Sequence, residues 1–221
     1  MPAAFIIGAG PGLGTSIARR FARADVPIGV IARSPGTVDA TLSALADTFV
    51  DTYGVTADAA DELALRAALD SLVDRLGVPD ALVYNAAIIQ SDRVGELDTE
   101  GHLAAWATNV VGAITAAAHL LPRMARAGHG SYILTGGMPV PVPQVTSLSL
   151  GKAGVRALAE LLDSQFAPSG LHIATVTIGG AIAPGTAFDP DDIAEQYWRL
   201  HAQPVGVWER EVVYSGRYEP V

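Results

Sequence analysis

The sequence predicts an α/β fold on a doubly wound parallel sheet, and three observations carry that expectation. Short apolar runs alternate with longer segments of helical periodicity along most of the chain. The runs are continuous instead of alternating with polar residues, as in strands covered on both faces. Half of the residues are apolar and 17% are charged, the composition of a chain with a large core. At 221 residues, with no linker, repeat or low-complexity tract, residues 1–221 are expected to form a single domain.

The elements follow in order. Ala3–Gly8 is an apolar first strand. From Leu13 to Ala24 the apolar stripe Leu13, Ile17, Ala18, Phe21 and Ala22 leaves Arg19, Arg20 and Arg23 outside, a helix. Pro27–Ala32 is a second strand. Ser34-Pro35 is an N-cap with proline at the first helical position, opening a helix to about Val50. Gly54–Ala57 is a short strand and Asp61–Leu76 a helix closed by Gly77 and Pro79. Then come a strand at Asp80–Asn85, a long helix at Glu100–Ala127 ended by Gly128, and a strand at Ser131–Thr135. A helix at Ser147–Ala167 stops at Pro168 and Gly170, and Leu171–Ile178 is a sixth strand. Gly179–Pro190 is a loop, Asp191–His201 a helix, and Glu211–Tyr214 a last strand. This βα alternation predicts a Rossmann-like sheet of about seven strands.

Charge and composition exclude several functions. The 14 basic and 23 acidic side chains give a net charge of −9, and such a surface repels nucleic acid and anionic membranes. With no cysteine there are no disulfides, no thiolate chemistry and no cysteine-ligated metal. The histidines at 102, 119, 129, 172 and 201 lack metal-ligand spacing, so no metal site is expected. The apolar start has no basic region before it and runs straight into glycines, unlike a signal peptide. No stretch of about 18 apolar residues is free of charges or breakers. A cytoplasmic protein without a membrane span is the expectation.

GAGPGLG at 8–14 lies between the first strand and the first helix. Gly8 permits a tight turn, Gly12 lets backbone approach an anion, and Gly14 allows close helix–strand packing. Free N–H groups and the helix dipole would then hold a dinucleotide pyrophosphate beside Leu13. At the end of the second strand Ala32 takes the place of an acidic residue that would accept the adenosine ribose 2′-hydroxyl. Arg33 and Ser34 follow it. An arginine there suits a 2′-phosphate, so NADP is expected over NAD.

The glycines with spacing G-x-x-x-G-x-G, Asp58, Asn85-Ala86-Ala87, Asn109 and Lys152 resemble, in order and placement, the short-chain dehydrogenase/reductase family. The resemblance covers about residues 3–182. It implies a Rossmann-type sheet, an NAD(P) cofactor, a small-molecule substrate and a homodimer or homotetramer assembled through the helices at 100–127 and 147–167. It also implies roles. Asp58 would contact the adenine, and Asn85 with Ala86 would shape the ribose side of the pocket. Ile182 would lie at the cofactor, and 179–210 would form the substrate lid. Asn109 would open its helix locally to hold a relay water. Lys152, the single lysine of the chain, would bind the nicotinamide ribose.

The departures concern chemistry. The family's tyrosine, four residues before the lysine, is Leu148 here. Its serine is Gly137 by strand alignment, or Thr135 by counting back from Leu148, and the shortened loop favours the strand alignment. The proline-glycine after the sixth strand is replaced by Ile178-Gly179-Gly180. Ser149, three residues before Lys152, is either a partner for it or a helix-start residue. Tyr197, Trp198 and His201 would supply an acid or pack a helix. Two functions remain: an NADP-linked oxidoreductase with an altered proton relay, or a non-catalytic dinucleotide-binding sensor or partner subunit.

Overall fold

The computed structural model describes residues 3–217. The strands are β1 (Ala4–Ile7), β2 (Ile28–Ala32), β3 (Thr52–Thr56), β4 (Ala81–Tyr84), β5 (Gly130–Thr135), β6 (Leu171–Ile178) and β7 (Glu211–Tyr214). The helices are α1 (Leu13–Ala22), α2 (Pro35–Ser43), α3 (Glu62–Leu76), α4 (Thr99–Trp106), α5 (Gly112–Ala127), α6 (Thr146–Phe166) and α7 (Pro190–His201). One parallel sheet of seven strands has the order β3-β2-β1-β4-β5-β6-β7. The chain first winds outward from β1 to β3 and then returns to lay β4 on the other side of β1. At that reversal the loops after β1 and β4 diverge and leave a crevice at the carboxyl ends of the strands.

The central strands β1, β2 and β4 are apolar throughout because each face of the sheet has its own helical layer. Phe5 and Ile7 join Leu65, Leu69 and Leu72 of α3, Leu120 of α5 and Val155 of α6. Ala4 and Ile6 face the other way, with Ile17 and Phe21 of α1 and Ile193, Tyr197 and Leu200 of α7. Each fully buried aliphatic or aromatic side chain of this kind contributes roughly 1.5–3 kcal/mol.

Two expectations need correction. The helix expected to reach Val50 ends at Ser43, because the next residues close successive turns. The N–H of Leu45 goes to Leu42 O, that of Ala46 to Ser43 O and that of Thr48 to Leu45 O, where the Thr48 hydroxyl also donates. The long helix is interrupted between α4 and α5 by one π-helical turn, residues 107–111, at Asn109, where the family resemblance implies a local opening. That same run, Thr99–Ala127, is long and apolar enough to cross a membrane by length and composition, contrary to the sequence expectation. More than half of its most apolar window is buried within the fold, where α5 packs on α3 and β5.

Candidate functional site

The crevice is a cleft of about 1060 Å³ running from the β1–α1 turn to the start of α6. The turn is set by glycines. Gly8 and Gly12 have φ of +87° and +93°. A Cβ on Gly8 would lie 2.4 Å from the Ala86 nitrogen, and one on Gly14 would lie 2.5 Å from Gly8 O. Around Gly12 there is nothing within 4 Å, so its missing side chain leaves open space. The amino end of α1 has no side-chain cap and no acidic residue in its first turn. An anion is therefore met by bare N–H groups and the positive end of the helix dipole.

Asn85 fastens this turn to the next loop. Its amide donates to Gly8 O at 2.9 Å, and its Oδ1 accepts from Thr135 Oγ1 at 2.9 Å. The Tyr197 hydroxyl lies 2.7 Å from the same Thr135 oxygen. Since the threonine proton goes to Asn85, the tyrosine is the donor. The chain Tyr197–Thr135–Asn85–Gly8 thus runs from α7 to the glycine turn. Tyr197 is fully buried, and burial pushes its phenol well above the ordinary value.

At the other end Lys152 lies within α6. It is 7% exposed, and its Nζ donates to Thr135 O at 2.6 Å. Burial pulls the ammonium down to about 8, since removal from water penalises the charged form. Leu148, one turn earlier, lines the cleft as Lys152 does. Two adjacent glycines differ here. A Cβ on Gly136 would meet the Thr177 hydroxyl at 2.4 Å, whereas one on Gly137 would find Lys152 Cγ at 3.6 Å, ordinary contact.

Gly8, Gly12, Leu13, Gly14, Arg33, Asn85, Ala86, Lys152 and Ile182 all line the cleft. Ser34, Asp58 and Asn109 do not. Ser34 caps α2 by accepting from the Thr37 N–H. Asp58 is exposed between two lining alanines and accepts from the Ala60 N–H. Asn109 sits in the π turn and its Oδ1 accepts from the Ile88 N–H at 2.7 Å, holding the β4–α4 loop. Its neighbour Thr108 is the residue of that turn that reaches the cleft.

The substitute donors are committed elsewhere. Ser149 donates to Val142 O and accepts from the Val142 N–H, clasping the loop before α6. Ser147 is also a helix-start residue, bound through its N–H and hydroxyl by the Asp92 carboxylate. Trp198 stacks edge-on against Phe21, and His201 Nδ1 pairs with the Ser131 hydroxyl. Of 179–210, only residues 179–182 line the cleft, and α7 is a core helix packed on α1. Two contributors carry no local sequence signal. Asp92, 55 residues before Ser147, caps α6. Arg156 donates to Gly137 O at 2.7 Å, holding the loop that includes Met138 at φ +48°.

The short chain dehydrogenase family matches residues 2–191. The chain belongs to that family. A curated member, glucose 1-dehydrogenase 2 of Bacillus subtilis (strain 168), is 27% identical over 83% of this chain and 70% of its own. The 3-oxoacyl-(acyl-carrier-protein) reductase FabG of Staphylococcus aureus (strain N315) is 26% identical over 87% of this chain and 80% of its own. Among solved structures, a metagenomic short-chain oxidoreductase in complex with NADP superposes with a TM-score of 0.89 at 21% identity. The match covers 99% of this chain and 98% of that one. An alcohol dehydrogenase from the archaeon Thermococcus sibiricus, complexed with 5-hydroxy-NADP, gives 0.85 at 22%, over 99% of this chain and all of the other. The family match rests on residues 2–191, and the likeness to the solved structures shows the fold.

Proposed function

We propose that this chain binds NADP(H) in the cleft and is an oxidoreductase of short-chain dehydrogenase type with an atypical proton relay. The observation that supports it is the continuity of one cleft from the bare amino end of α1 to Lys152, with Arg33 on its wall near one end. The open space over Gly12 is a cradle that a Cβ would fill, and it fits a pyrophosphate. Arg33 is exposed and, among the described residues, makes no ion pair. Its guanidinium is available to a 2′-phosphate. Lys152 and Asn85 would hold the nicotinamide ribose, and Ile182 would pack on the ring. When bound, the nucleotide supplies a hydride.

Leu148 stands where the family resemblance puts a tyrosine, and Gly137 where it puts a serine. Leu148 offers no proton, and Gly137 offers only a carbonyl already engaged by Arg156. Ordinary ketones and alcohols should therefore turn over negligibly, while nucleotide still binds. The test is a titration with NADPH and NADH beside steady-state assays on small carbonyl compounds. Tighter NADPH binding with negligible ketone turnover agrees with the reading, and equal affinities or several ketone turnovers per second contradict it.

The same reading includes a homodimer or homotetramer. Leu103 and Trp106 of α4, Ile114 of α5, and Leu150 and Leu161 of α6 are large apolar side chains left exposed on the helices expected to pair. Light scattering should return a multiple of the 22.8 kDa chain, and Trp106→Asp should shift it toward that mass.

A further inference from the structure

Resting on that nucleotide-binding reading, we propose that Lys152 is itself the proton donor of the site. It would deliver an N–H proton to the carbonyl oxygen of an apolar, electron-poor dicarbonyl such as a quinone.

The first argument is the inventory of the cleft. Among its lining side chains only Arg33 and Lys152 are ionisable, and Arg33 lies at the end of β2, beside the glycine turn. An arginine does not release a proton in the working range, whereas a lysine with lowered basicity does. Nζ gives one N–H to Thr135 O, and no other protein acceptor is present among the described residues. Of the two remaining N–H bonds, one would serve the nicotinamide ribose and the other is left for a substrate carbonyl.

Among the described residues, no titratable or charged group on the surrounding elements bonds Nζ: His102 of α4, Arg126 of α5 and Glu160 of α6 make no bond to it, and Tyr132 of β5 donates to Ala113 O. Arg156, one turn further along α6, bonds Gly137 O. Tyr84 of β4 donates to Thr108 O, and Tyr197 of α7 donates to Thr135 Oγ1. Glu211 of β7 accepts from Thr177 of β6. None of these reaches Nζ, and burial alone makes the ammonium a stronger acid than a free lysine.

The second argument is the apolar lining. Ile89, Val140, Val142, Leu148 and Ile182 also line the cleft, and all but Leu148 are substantially exposed. This surface suits a flat apolar molecule and offers a carboxylate or phosphate no charged partner. An unconjugated ketone places its full developing charge on one oxygen and needs several donors. In a 1,2-dicarbonyl such as an ortho-quinone the neighbouring C=O withdraws electrons and makes the developing alkoxide less basic, so one ammonium suffices. The bound reduced nucleotide provides the hydride that adds to the carbonyl carbon. The C=O π pair moves to oxygen, and the oxygen takes a proton from Nζ. The neutral amine regains a proton from water at the open mouth. One hydride and one proton have then added across the C=O bond.

The single lysine makes the test direct. Full-length protein carrying carbon-13 lysine has one lysine side-chain signal, whose titration reads Lys152 with and without NADP. Phenanthrenequinone reduction is followed at saturating NADPH across about pH 6 to 10. The rate is expected to fall about tenfold per pH unit above the midpoint seen by NMR. Lys152→Ala at saturating NADPH is expected to lose on the order of 10²-fold or more, with partial rescue by ethylamine, and Lys152→Arg is expected not to recover the rate. The proposal is overturned by a rate that is flat across the lysine titration, or by a Lys152→Ala defect that saturating nucleotide cures. It is equally overturned by no quinone turnover in protein shown to hold NADPH. Failure of NADPH to bind is seen before quinone is added, and defeats the underlying reading instead.

Discussion

At the α1 end the cleft presents bare backbone; at the α6 end it presents a single charged side chain. The α1 end works because side chains are missing: Gly8 and Gly14 bring three backbone segments within contact, and Gly12 leaves space over the N–H groups. The α6 end has the opposite construction. Lys152 is buried against Thr135 O, with apolar neighbours and Gly137, whose side-chain space is unfilled. A backbone site keeps its chemistry under almost any change of neighbouring side chain. A side-chain site loses or alters it with one substitution. That contrast suits the proposed reading, in which the nucleotide cradle is kept and the reaction centre is altered.

The sharpest way to break the contrast is at the glycines. Gly8→Val puts a β-branched side chain at φ +87° and 2.4 Å from backbone that cannot withdraw. A loss of about 3 kcal/mol or more and no nucleotide binding are expected by denaturant titration. Gly137→Ser has room, and is expected to change stability by less than about 1 kcal/mol.

Next in size is the cost of burying Lys152. The unfolded chain keeps this proton to about pH 10.5, and the folded protein releases it at about 8. Between those values the unfolded state binds more protons, so folding becomes more favourable as pH rises through the window. The gain is on the order of 3 kcal/mol at 1.4 kcal/mol per unit. Lys152→Met should flatten that slope in denaturant midpoints measured on either side of pH 8. An unchanged slope would mean that the ammonium is not desolvated.

Smaller effects should come from the groups that join the two ends. Tyr197→Phe removes the donor to Thr135 and should cost about 1 kcal/mol, with a coupling to Thr135→Val in a double-mutant cycle. Arg33→Ala should leave stability unchanged and remove most of the NADPH over NADH preference, about tenfold in affinity. An undiminished preference would move 2′-phosphate recognition away from β2.

Much of this was legible in the sequence, for identifiable reasons. Strands buried on both faces announce themselves as continuous apolar runs, and the glycine turn is a local pattern between a strand and a helix. Lys152 stood out because it has no other lysine for company. The illegible parts are long-range. Asp92 caps α6 across 55 residues, and the Tyr197–Thr135–Asn85 chain joins three separated elements. Ser149 looked like a partner for Lys152 because helical spacing gives the face of a helix but not what the preceding loop will claim. The early end of α2 escaped because its residues retain fair helix propensity while tight turns take over their hydrogen bonds.

The solitary lysine also makes the protein its own unfolding gauge. A lysine-specific endoprotease has one bond to cut, after Lys152, dividing the chain into 1–152 and 153–221. That bond is inside α6 and the side chain is buried, so the folded protein offers the protease nothing to grip. Cleavage must wait for α6 to open, and when reclosing is fast its rate follows the free energy of that opening. Nucleotide seated against Lys152 should slow the cut in proportion to its occupancy. A gel band would then report ligand binding without any substrate.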